Sequence, residues 1–467
     1  MPRAAFIRAL AATRASCAPR GLLSARRRQS RAAVLCAFLA LAAGACGGRD
    51  RANPFDPANE ETGGTPRAAR ASAGCAQVEL AWDRLAMRDL SGFRVWRELD
   101  GTAGGPGELL TDQALDARTI AFVDSAAPNG RLAAYRVEFL FENGASGWTD
   151  PAVARPGPAL AWAADPCGYG LVLLTPDARR IRGTRAYGST VLDVEVDPRG
   201  GRLFAASVSF PSAVLVMASD GGGEPAEIPL EQPTAISWSD AASALAVASF
   251  YQGRVDWLRP DGSRLGAAEF PGWHPEDVAF RDGERTWVAL VDESAARGVL
   301  VAVNFQTGRR DTLCRALVRP VAIVDDPRGL GCWVADRAGA VFFVADDGSA
   351  RRTAEGAFRG PTDLDSDSLG CCWVADPEAG TLSRVDREGA IVRVIAGWPG
   401  VRGVTWDPES EALWVAVPDL SEVACLGVAG GGEEILGSGA VAGCPQKVAG
   451  DWRGGCRARL PRVDLGK

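Results

Sequence analysis

Two adjacent cysteines, Cys371 and Cys372, precede Trp373 in the segment LGCCWVADPEAG, residues 369–380. Neighbouring thiols of this kind are able to form a vicinal disulfide or to bind a metal ion. The alternative is that they are small buried residues of a strand. How often similar segments recur in the chain bears on this choice.

The side chains available for acid–base and covalent catalysis are few. The 467 residues include one histidine, His274, and only two lysines, Lys447 and Lys467. Zinc centres usually draw on several His or Cys ligands, and Schiff-base chemistry requires a lysine. Most His-centred and Lys-centred mechanisms are therefore excluded. A general base in this chain would have to be His274, oriented by Asp277 or Asp363.

The charge of the chain is unevenly distributed. Residues 1–45 contain eight arginines and no acidic residue, and without them the formal net charge falls from −7 to −15. Because so acidic a body repels a phosphate backbone, we expect no nucleic-acid partner. The hydrophobic content of 47% is typical of a globular protein, and the length suffices for two or three domains.

The segment around Cys372 is one copy of a repeat. Similar segments are LGCWVADRAG at 330–339, TWVALVD at 286–292 and ALWVAV at 412–417. Seven copies, anchored on a tryptophan or its equivalent, follow at intervals of 40 to 46 residues: Trp162, Phe204, Ala246, Trp287, Trp333, Trp373 and Trp414. This period, with turn signals between the copies, predicts an array of units with four strands each.

The repeated strand is apolar at every position, as in CWVA at 332–335. A strand with one solvent-facing side would alternate, so this pattern indicates burial on both faces. Cys332 and Cys372 occupy equivalent places and are interpreted as small core residues. A vicinal disulfide at Cys371 and Cys372, or a metal site, remains the alternative.

These repeats resemble the NHL and YVTN class of bacterial β-propellers. The resemblance covers residues 156–467 and implies an all-β fold in which four-stranded blades surround an axis. Seven anchors are present but only six have an upstream partner strand, and the missing strand lies in QKVAGDWRGG at 446–455. We therefore expect a seven-bladed propeller closed by its own termini, which removes the open edge.

The innermost strands of such a propeller predict a candidate ligand site. One residue of each unit would face the axis: Asp193, Ile236 or Ala235, Asp277, Ala322, Asp363, Gly403 and Lys447. We expect the three carboxylates and Lys447 to form the site with Arg402 and His274. The alternative is that these residues only hydrate a narrow channel. No metal or cofactor is predicted, because D-x-D-x-D at 363–367 lacks the later Gly and Glu of a calcium loop.

The N-terminus is typical of an exported protein. Three arginines at 26–28 precede an apolar run that ends in A-G-A-C at 43–46. This ending resembles the lipobox of bacterial lipoproteins, although Ala43 stands where that family prefers leucine. The resemblance implies a signal peptide at 1–45, lipidation of Cys46 and outer-membrane sorting; an ordinary secretory signal is the alternative. Residues 46–74, rich in Pro, Gly and charge, are predicted to be a flexible tether.

Residues 75–155 resemble a fibronectin type III domain. VELAW at 78–82, GFRVWREL at 92–99 and AYRVEFLF at 134–141 are β-rich, and ENG at 142–144 is a hairpin signal. Trp82 and Tyr135 carry the resemblance, which implies a β-sandwich in which the Tyr135 hydroxyl bonds to nearby backbone. Such modules serve mostly as spacers and less often in recognition.

The cysteine count permits disulfides but does not assign them. Beyond the signal and Cys46 there are nine cysteines, so at least one must stay unpaired. An exported protein is able to form disulfides. We expect Cys425 to pair with Cys444.

Together the observations predict a non-catalytic lipoprotein of the cell envelope, periplasmic or surface-exposed. Its propeller would bind an envelope protein or a glycan, with the sandwich as a spacer, and only the lipid anchor would enter the membrane. The alternative is a lyase- or lactonase-type propeller enzyme that acts in the axial funnel with His274 as base. The several histidines of such enzymes are absent from this chain.

Overall fold

The computed structural model describes residues 69–84, 87, 89–100, 107–179, 181–186, 190–197, 199, 201–209, 212–292, 294, 296–353, 356–428, 433–441 and 443–452. The predicted signal peptide, Cys46, Cys456 and all but the last six residues of the predicted tether lie outside them. The described part is all-β, with two short 3₁₀ turns, Phe250–Gln252 and Pro418–Leu420. Within it no helix is long and apolar enough to cross a membrane.

The N-terminal strands form two antiparallel sheets. A three-stranded sheet has the order Arg70–Gly74, Gln77–Ala81 and Ala121–Asp124. A six-stranded sheet has the order Glu108–Leu109, Leu90–Leu99, Ala133–Phe141 and Ser146–Trp148, with Leu115–Asp116 and Ala152–Ala154 paired beside it. The first strand begins inside the predicted tether, so regular structure starts before the boundary expected at residue 75.

Aromatic side chains fill the core of this N-terminal part. The Phe93 ring centroid lies 5.4 Å from that of Trp82 and 5.3 Å from that of Phe139. The buried Tyr135 hydroxyl donates to an oxygen of Asp124 at 2.9 Å, and Arg97 donates to the same oxygen at 2.8 Å. The expected bond from Tyr135 to backbone is therefore wrong, because a carboxylate is the stronger acceptor.

Seven four-stranded antiparallel sheets follow within the described residues. From inner to outer strand, sheet 1 contains Lys447–Asp451, Leu160–Asp165, Gly170–Leu174 and Ile181–Ala186; sheet 2 contains Val191–Asp197, Arg202–Ser207, Ala213–Ala218 and Ala226–Pro229; sheet 3 contains Ala235–Ser239, Ala244–Ser249, Arg254–Leu258 and Arg264–Glu269. Sheet 4 contains His274–Phe280, Arg285–Asp292, Arg297–Asn304 and Arg310–Leu317; sheet 5 contains Pro320–Asp325, Gly331–Asp336, Ala340–Ala345 and Ala350–Arg352. Sheet 6 contains Asp363–Ser366, Cys372–Asp376, Thr381–Val385 and Ile391–Ala396; sheet 7 contains Gly403–Asp407, Ala412–Val417, Glu422–Gly427 and Glu434–Ala440.

The seven anchors lie in the second strands, and each is at most 1% exposed. Apart from the half-buried first residues Arg202 and Arg285, their strands are buried throughout, as in Cys372–Asp376, because both faces pack against neighbouring sheets. One core cluster, for example, joins Trp287 of sheet 4 to Cys332 of sheet 5. Cys332 and Cys372 are fully buried free thiols, which confirms that they are core residues, and Cys371 is free as well.

The inner strand of sheet 1 comes from the C-terminal end of the described chain. It pairs antiparallel with Leu160–Asp165, and Ala449 lies opposite Trp162. Each inner strand contacts the inner strand of the following sheet, and that of sheet 7 contacts that of sheet 1. Contacts between inner strands therefore link each sheet to the next.

A disulfide joins Cys167 to Cys444 over a sequence separation of 277 residues. Cys167 follows the second strand of sheet 1, and Cys444 precedes its inner strand. The buried Asp165 carboxylate accepts the backbone N–H of Cys444 at 2.8 Å beside this bond. The expected pairing of Cys425 with Cys444 is wrong, because Cys425 is a free thiol buried in sheet 7. Cys75 is also disulfide-bonded.

Candidate functional site

One residue of each inner strand pairs with the alanine two positions beyond the anchor of its sheet. These ring residues are Asp193, Ala235, Asp277, Ala322, Asp363, Gly403 and Lys447. The register selects Ala235 rather than Ile236 in sheet 3. Glycine at 403 has a steric reason, because a Cβ there would lie 2.4 Å from the Gln446 carbonyl oxygen.

Two cavities are lined by residues of the inner strands and share Asp193, Asp277 and Lys447. Cavity A, of about 370 Å³, is lined by further carboxylates and by four aromatic side chains: Glu195, Asp325, Asp363, Asp365, Trp238, Phe280, Trp406 and Trp452. Cavity B, of about 460 Å³, is lined in addition by Phe250, Tyr251, Glu276, Arg319 and Gln446. The shared residues therefore form the boundary between a carboxylate-rich cavity and one of mixed charge.

The ring carboxylates hold neighbouring inner strands together. Asp193, Asp277 and Asp363 each accept a backbone N–H from the next sheet, at 2.8, 2.8 and 2.9 Å. Asp365 accepts the Trp406 N–H in the same way, at 2.7 Å. Because these bonds fix the carboxylates, the polar lining of cavity A is preorganised. They also give the carboxylates a structural role that needs no ligand.

Lys447 is the one cation of the ring. Its Nζ lies 2.5 Å from an oxygen of Asp363, and its side chain remains 32% exposed. Burial acts to lower the pKa of Lys447, but the charges of Asp363, Asp193 and Asp277 outweigh it and raise that pKa. The ammonium therefore stays charged and offsets part of the carboxylate charge.

Several carboxyl groups of cavity A hold their protons unusually tightly. Burial raises the pKa of Asp277 to about 7 and that of Asp365 to about 7. Burial also raises the pKa of Asp193, and that of Glu195 well above its usual range, where neighbouring carboxylates add to the shift. No hydrogen bond to the Glu195 carboxyl group is made by the described residues. Glu195 is therefore able to donate to or accept from a bound molecule.

Two of the predicted site residues line neither cavity, although His274 packs on Phe250 of cavity B. His274 Nδ1 lies 2.9 Å from the Phe250 carbonyl oxygen, and its ring stacks on Phe250 with centroids 4.7 Å apart. Arg402 is exposed and precedes the inner strand of sheet 7. Neither residue lines cavity A or cavity B. The structure thus brings together Asp193, Asp277, Asp363 and Lys447, but not His274 and Arg402.

The residues that the sequence prediction missed follow a period of two. Glu195 and Asp365 lie two positions beyond Asp193 and Asp363, on the same face of each strand. Glu195 pairs with the anchor Phe204, and Asp365 pairs with the anchor Trp373. The repeat alignment therefore marks a second ring, two residues further along each inner strand. This signal was sufficient to find them.

Asp325 is a cavity carboxylate that the repeat does not mark. It accepts the Trp287 indole N–H at 3.0 Å, and Arg281 lies 3.6 Å from its other oxygen. Burial raises the pKa of Asp325 to about 7. Within the described residues no three His, Cys, Asp or Glu side chains are placed to hold a metal ion. Cavity A thus offers carboxyl groups, an ammonium and aromatic rings, which are suited to hydrogen bonding and stacking.

Comparison with known proteins finds distant structural likenesses. No family model matches the chain, and no curated protein matches it. The periplasmic gluconolactonase of Pseudomonas aeruginosa is 14% identical with a TM-score of 0.49, covering 62% of this chain and 99% of that one. Virginiamycin B lyase of Staphylococcus aureus is 12% identical with a TM-score of 0.46, covering 60% and 88%. The Swd1 β-propeller domain of Myceliophteria thermophila is 14% identical with a TM-score of 0.43, covering 52% and 84%.

All three TM-scores are below 0.5, so these likenesses carry no argument about this chain. Identities this low do not carry an activity from one protein to another. The function must therefore be argued from cavities A and B.

Proposed function

We propose that this chain is a non-catalytic binding protein whose seven sheets are the blades of one β-propeller. The pairing of Lys447–Asp451 with Leu160–Asp165 supports closure by the two ends of the array. The ring of contacts between inner strands supports it as well. In this proposal the axis carries the ligand, and the N-terminal sheets form a sandwich that acts as a spacer.

The residues that line cavity A indicate which class of ligand it suits. Its volume of about 370 Å³ is within the range of small-molecule sites. Fixed carboxyl groups beside indole rings suit a carbohydrate, because hydroxyl groups bond to the carboxyls while the apolar face of a sugar packs on an aromatic ring. Glu195 and Trp406 are the residues we expect to contact the sugar. We therefore propose that cavity A binds a carbohydrate.

The histidine that the enzymatic alternative requires as a base does not line either cavity. A lyase or lactonase mechanism in this chain would rely on His274, and that ring is held against Phe250 outside both cavities. A general base must come within hydrogen-bond reach of the proton that it removes. The carboxyl groups of cavity A remain as bases, but both oxygens of Asp277 and of Asp365 already accept backbone N–H groups. A binding role needs no free base, so we favour binding over catalysis.

The cellular setting is proposed from the sequence. The lipobox-like ending at Cys46 supports a lipid anchor in the cell envelope, and the Pro- and Gly-rich residues after it support a tether. Envelope glycans would be within reach of a propeller held in this way. Mass spectrometry of the protein purified from its membrane tests the anchor, because lipidation adds a diacylglycerol mass to the peptide that begins at Cys46.

Thermal shift of the full chain tests the binding role. Neutral mono- to hexasaccharides of the glucan and N-acetylglucosamine series are the probes, since binding to the folded state raises the Tm. Glu195→Ala should lower the affinity about fivefold or more through loss of one hydrogen-bonding group. Glu227→Ala, on an exposed outer strand, is the matched control. Equal shifts for both variants would contradict cavity A as the site.

A further inference from the structure

A third cavity, cleft C, of about 450 Å³, lies between sheets 6 and 7. Its wall contains Leu369, Trp373, Val392 and Trp406. Leu369 and Val392 are large apolar side chains that are 60% and 50% exposed. Trp373 is only 1% exposed and forms the inner wall. The cleft thus combines a buried aromatic wall with an apolar entrance.

The indole N–H of Trp373 has no hydrogen-bond partner among the described residues. The equivalent anchor in sheet 4, Trp287, donates to Asp325 at the end of the next inner strand, at 3.0 Å. Trp406 in sheet 7 is the equivalent of Asp325 in sheet 5. Each of them pairs with the residue just before the anchor of its own sheet. Trp406 offers no acceptor, so a buried donor is left unsatisfied beside the cleft. The anchors Trp333 and Trp414 carry the same unpartnered N–H, but of the three only Trp373 lines cleft C.

The charges that line cleft C balance. Arg384 forms an ion pair with Asp367 at 2.6 Å, and Arg393 donates to the Val428 carbonyl oxygen at 2.7 Å. Glu411 supplies the second carboxylate of the lining. Two guanidinium groups therefore face two carboxylates, in contrast to the carboxylate excess of cavity A. An uncharged polar ligand fits this balance better than an ion.

Trp406 lies between the two sites, because it lines both cavity A and cleft C. Its backbone N–H donates to the Asp365 carboxylate at 2.7 Å, and its indole N–H donates to the Ser368 hydroxyl at 3.3 Å. These two bonds hold it in place. A molecule bound on the axis and long enough to pass Trp406 would enter the cleft between sheets 6 and 7.

We infer that cleft C is a second subsite of the axial site, and that the ligand is a neutral oligosaccharide rather than a single sugar. This inference rests on the proposed carbohydrate binding in cavity A. One sugar unit lies in cavity A, the chain passes Trp406, and a further unit occupies cleft C against Leu369 and Val392. A hydroxyl oxygen of that unit accepts the Trp373 N–H.

Calorimetric titration of the full chain with the same ladder of one to six sugar units tests the subsite. Trp373→Phe removes the N–H and keeps a buried ring. It should weaken binding of the longer oligosaccharides roughly fivefold, the effect of one hydrogen bond, and leave that of the shortest binding saccharide unchanged. Trp333→Phe is the matched control, because Trp333 is also a fully buried anchor with an unpartnered N–H and lines none of the three cavities.

The outcomes separate the subsite from the binding role. Longer saccharides that bind more tightly, with the gain reduced by Trp373→Phe and not by Trp333→Phe, support the inference. Affinity that is independent of length, or equal effects of the two variants, overturns the subsite and leaves binding in cavity A intact. No binding by any member of the ladder overturns both. Both variants should lower the Tm slightly and by similar amounts, because each leaves a smaller ring in a fully buried place. Similar Tm values exclude misfolding as the cause of a difference in binding between them.

Discussion

Removal of the disulfide between Cys167 and Cys444 is expected to be among the most destabilising changes that leave the core intact. The bond closes a loop of 277 residues and lies beside the pairing of the C-terminal strand with sheet 1. In the chain-entropy model the unfolded state loses freedom in proportion to the logarithm of the loop length. For this loop the model gives roughly 5 to 6 kcal/mol at 25 °C.

The assay is urea unfolding of the full chain, followed by tryptophan fluorescence, for the double variant Cys167→Ser with Cys444→Ser. Substitution is preferable to a reductant because Cys75 is also disulfide-bonded. Cys371→Ser is the control, since that thiol is free and half-buried. Because this bond ties the residues before the C-terminal strand to the turn after Leu160–Asp165, its loss should also raise proteolysis near the C-terminal strand.

Two results would refute this reasoning. A loss of less than about 1 kcal/mol would mean that the C-terminal strand is held by its sheet alone and that the loop adds nothing to the unfolded state. Peptide mapping that finds Cys444 bonded to Cys425 would contradict the pairing itself.

Three further changes test the ring on the axis and the N-terminal core. The folded-state pKa of Asp277, about 7, lies above its ordinary value of 3.8, so the folded state binds this proton more tightly and the free energy of unfolding should fall as the pH rises from about 4 to about 7. Asp277→Asn should reduce that slope by up to about 1.4 kcal/mol per pH unit in urea unfolding, and an unchanged slope would count against the shift. Lys447→Met leaves the buried Asp363 without its cation and should lower the free energy of unfolding by about 2 kcal/mol. Adding Asp363→Asn should restore part of that loss. A neutral effect of Lys447→Met would disprove the pairing. Tyr135→Phe should cost about 1.5 kcal/mol through the lost bond to Asp124, and no change would mean that water replaces it.

Much of the repeating fold could be predicted from the sequence, because its signal is local and periodic. An apolar run such as CWVA at 332–335 marks a strand buried on both faces wherever it occurs. The anchors therefore fall in equivalent strands, at most 1% exposed. Burial also explains Cys332 and Cys372, since a thiol is small enough to pack between two sheets.

The positions of the candidate residues could be predicted only in part, for physical reasons. Alignment on the anchors placed Asp193, Asp277, Asp363 and Lys447 in one ring, because strand pairing fixes which residues share a ring. His274 was misplaced because nearness in sequence to Asp277 is not nearness on the strand: the register shifts between Pro275 and Asp277, and the ring turns to Phe250.

The disulfide pairing could not be predicted from the sequence, for a different reason. Cys425 is nearer to Cys444 in sequence than Cys167 is, yet it is buried in another sheet. The pairing with Cys167 depends on the return of the chain to sheet 1, which spacing alone does not encode. That no described residue accepts the Trp373 N–H is of the same kind, because it depends on which residue the neighbouring sheet supplies.

The most direct test of the account is a crystal structure of the protein soaked with a neutral hexasaccharide from the ladder. The account predicts electron density for a sugar in cavity A within hydrogen-bond distance of Glu195, continuing past Trp406 toward Trp373. Density for the sugar on the outer strands or the N-terminal sheets, with cavity A filled only by water, would contradict it.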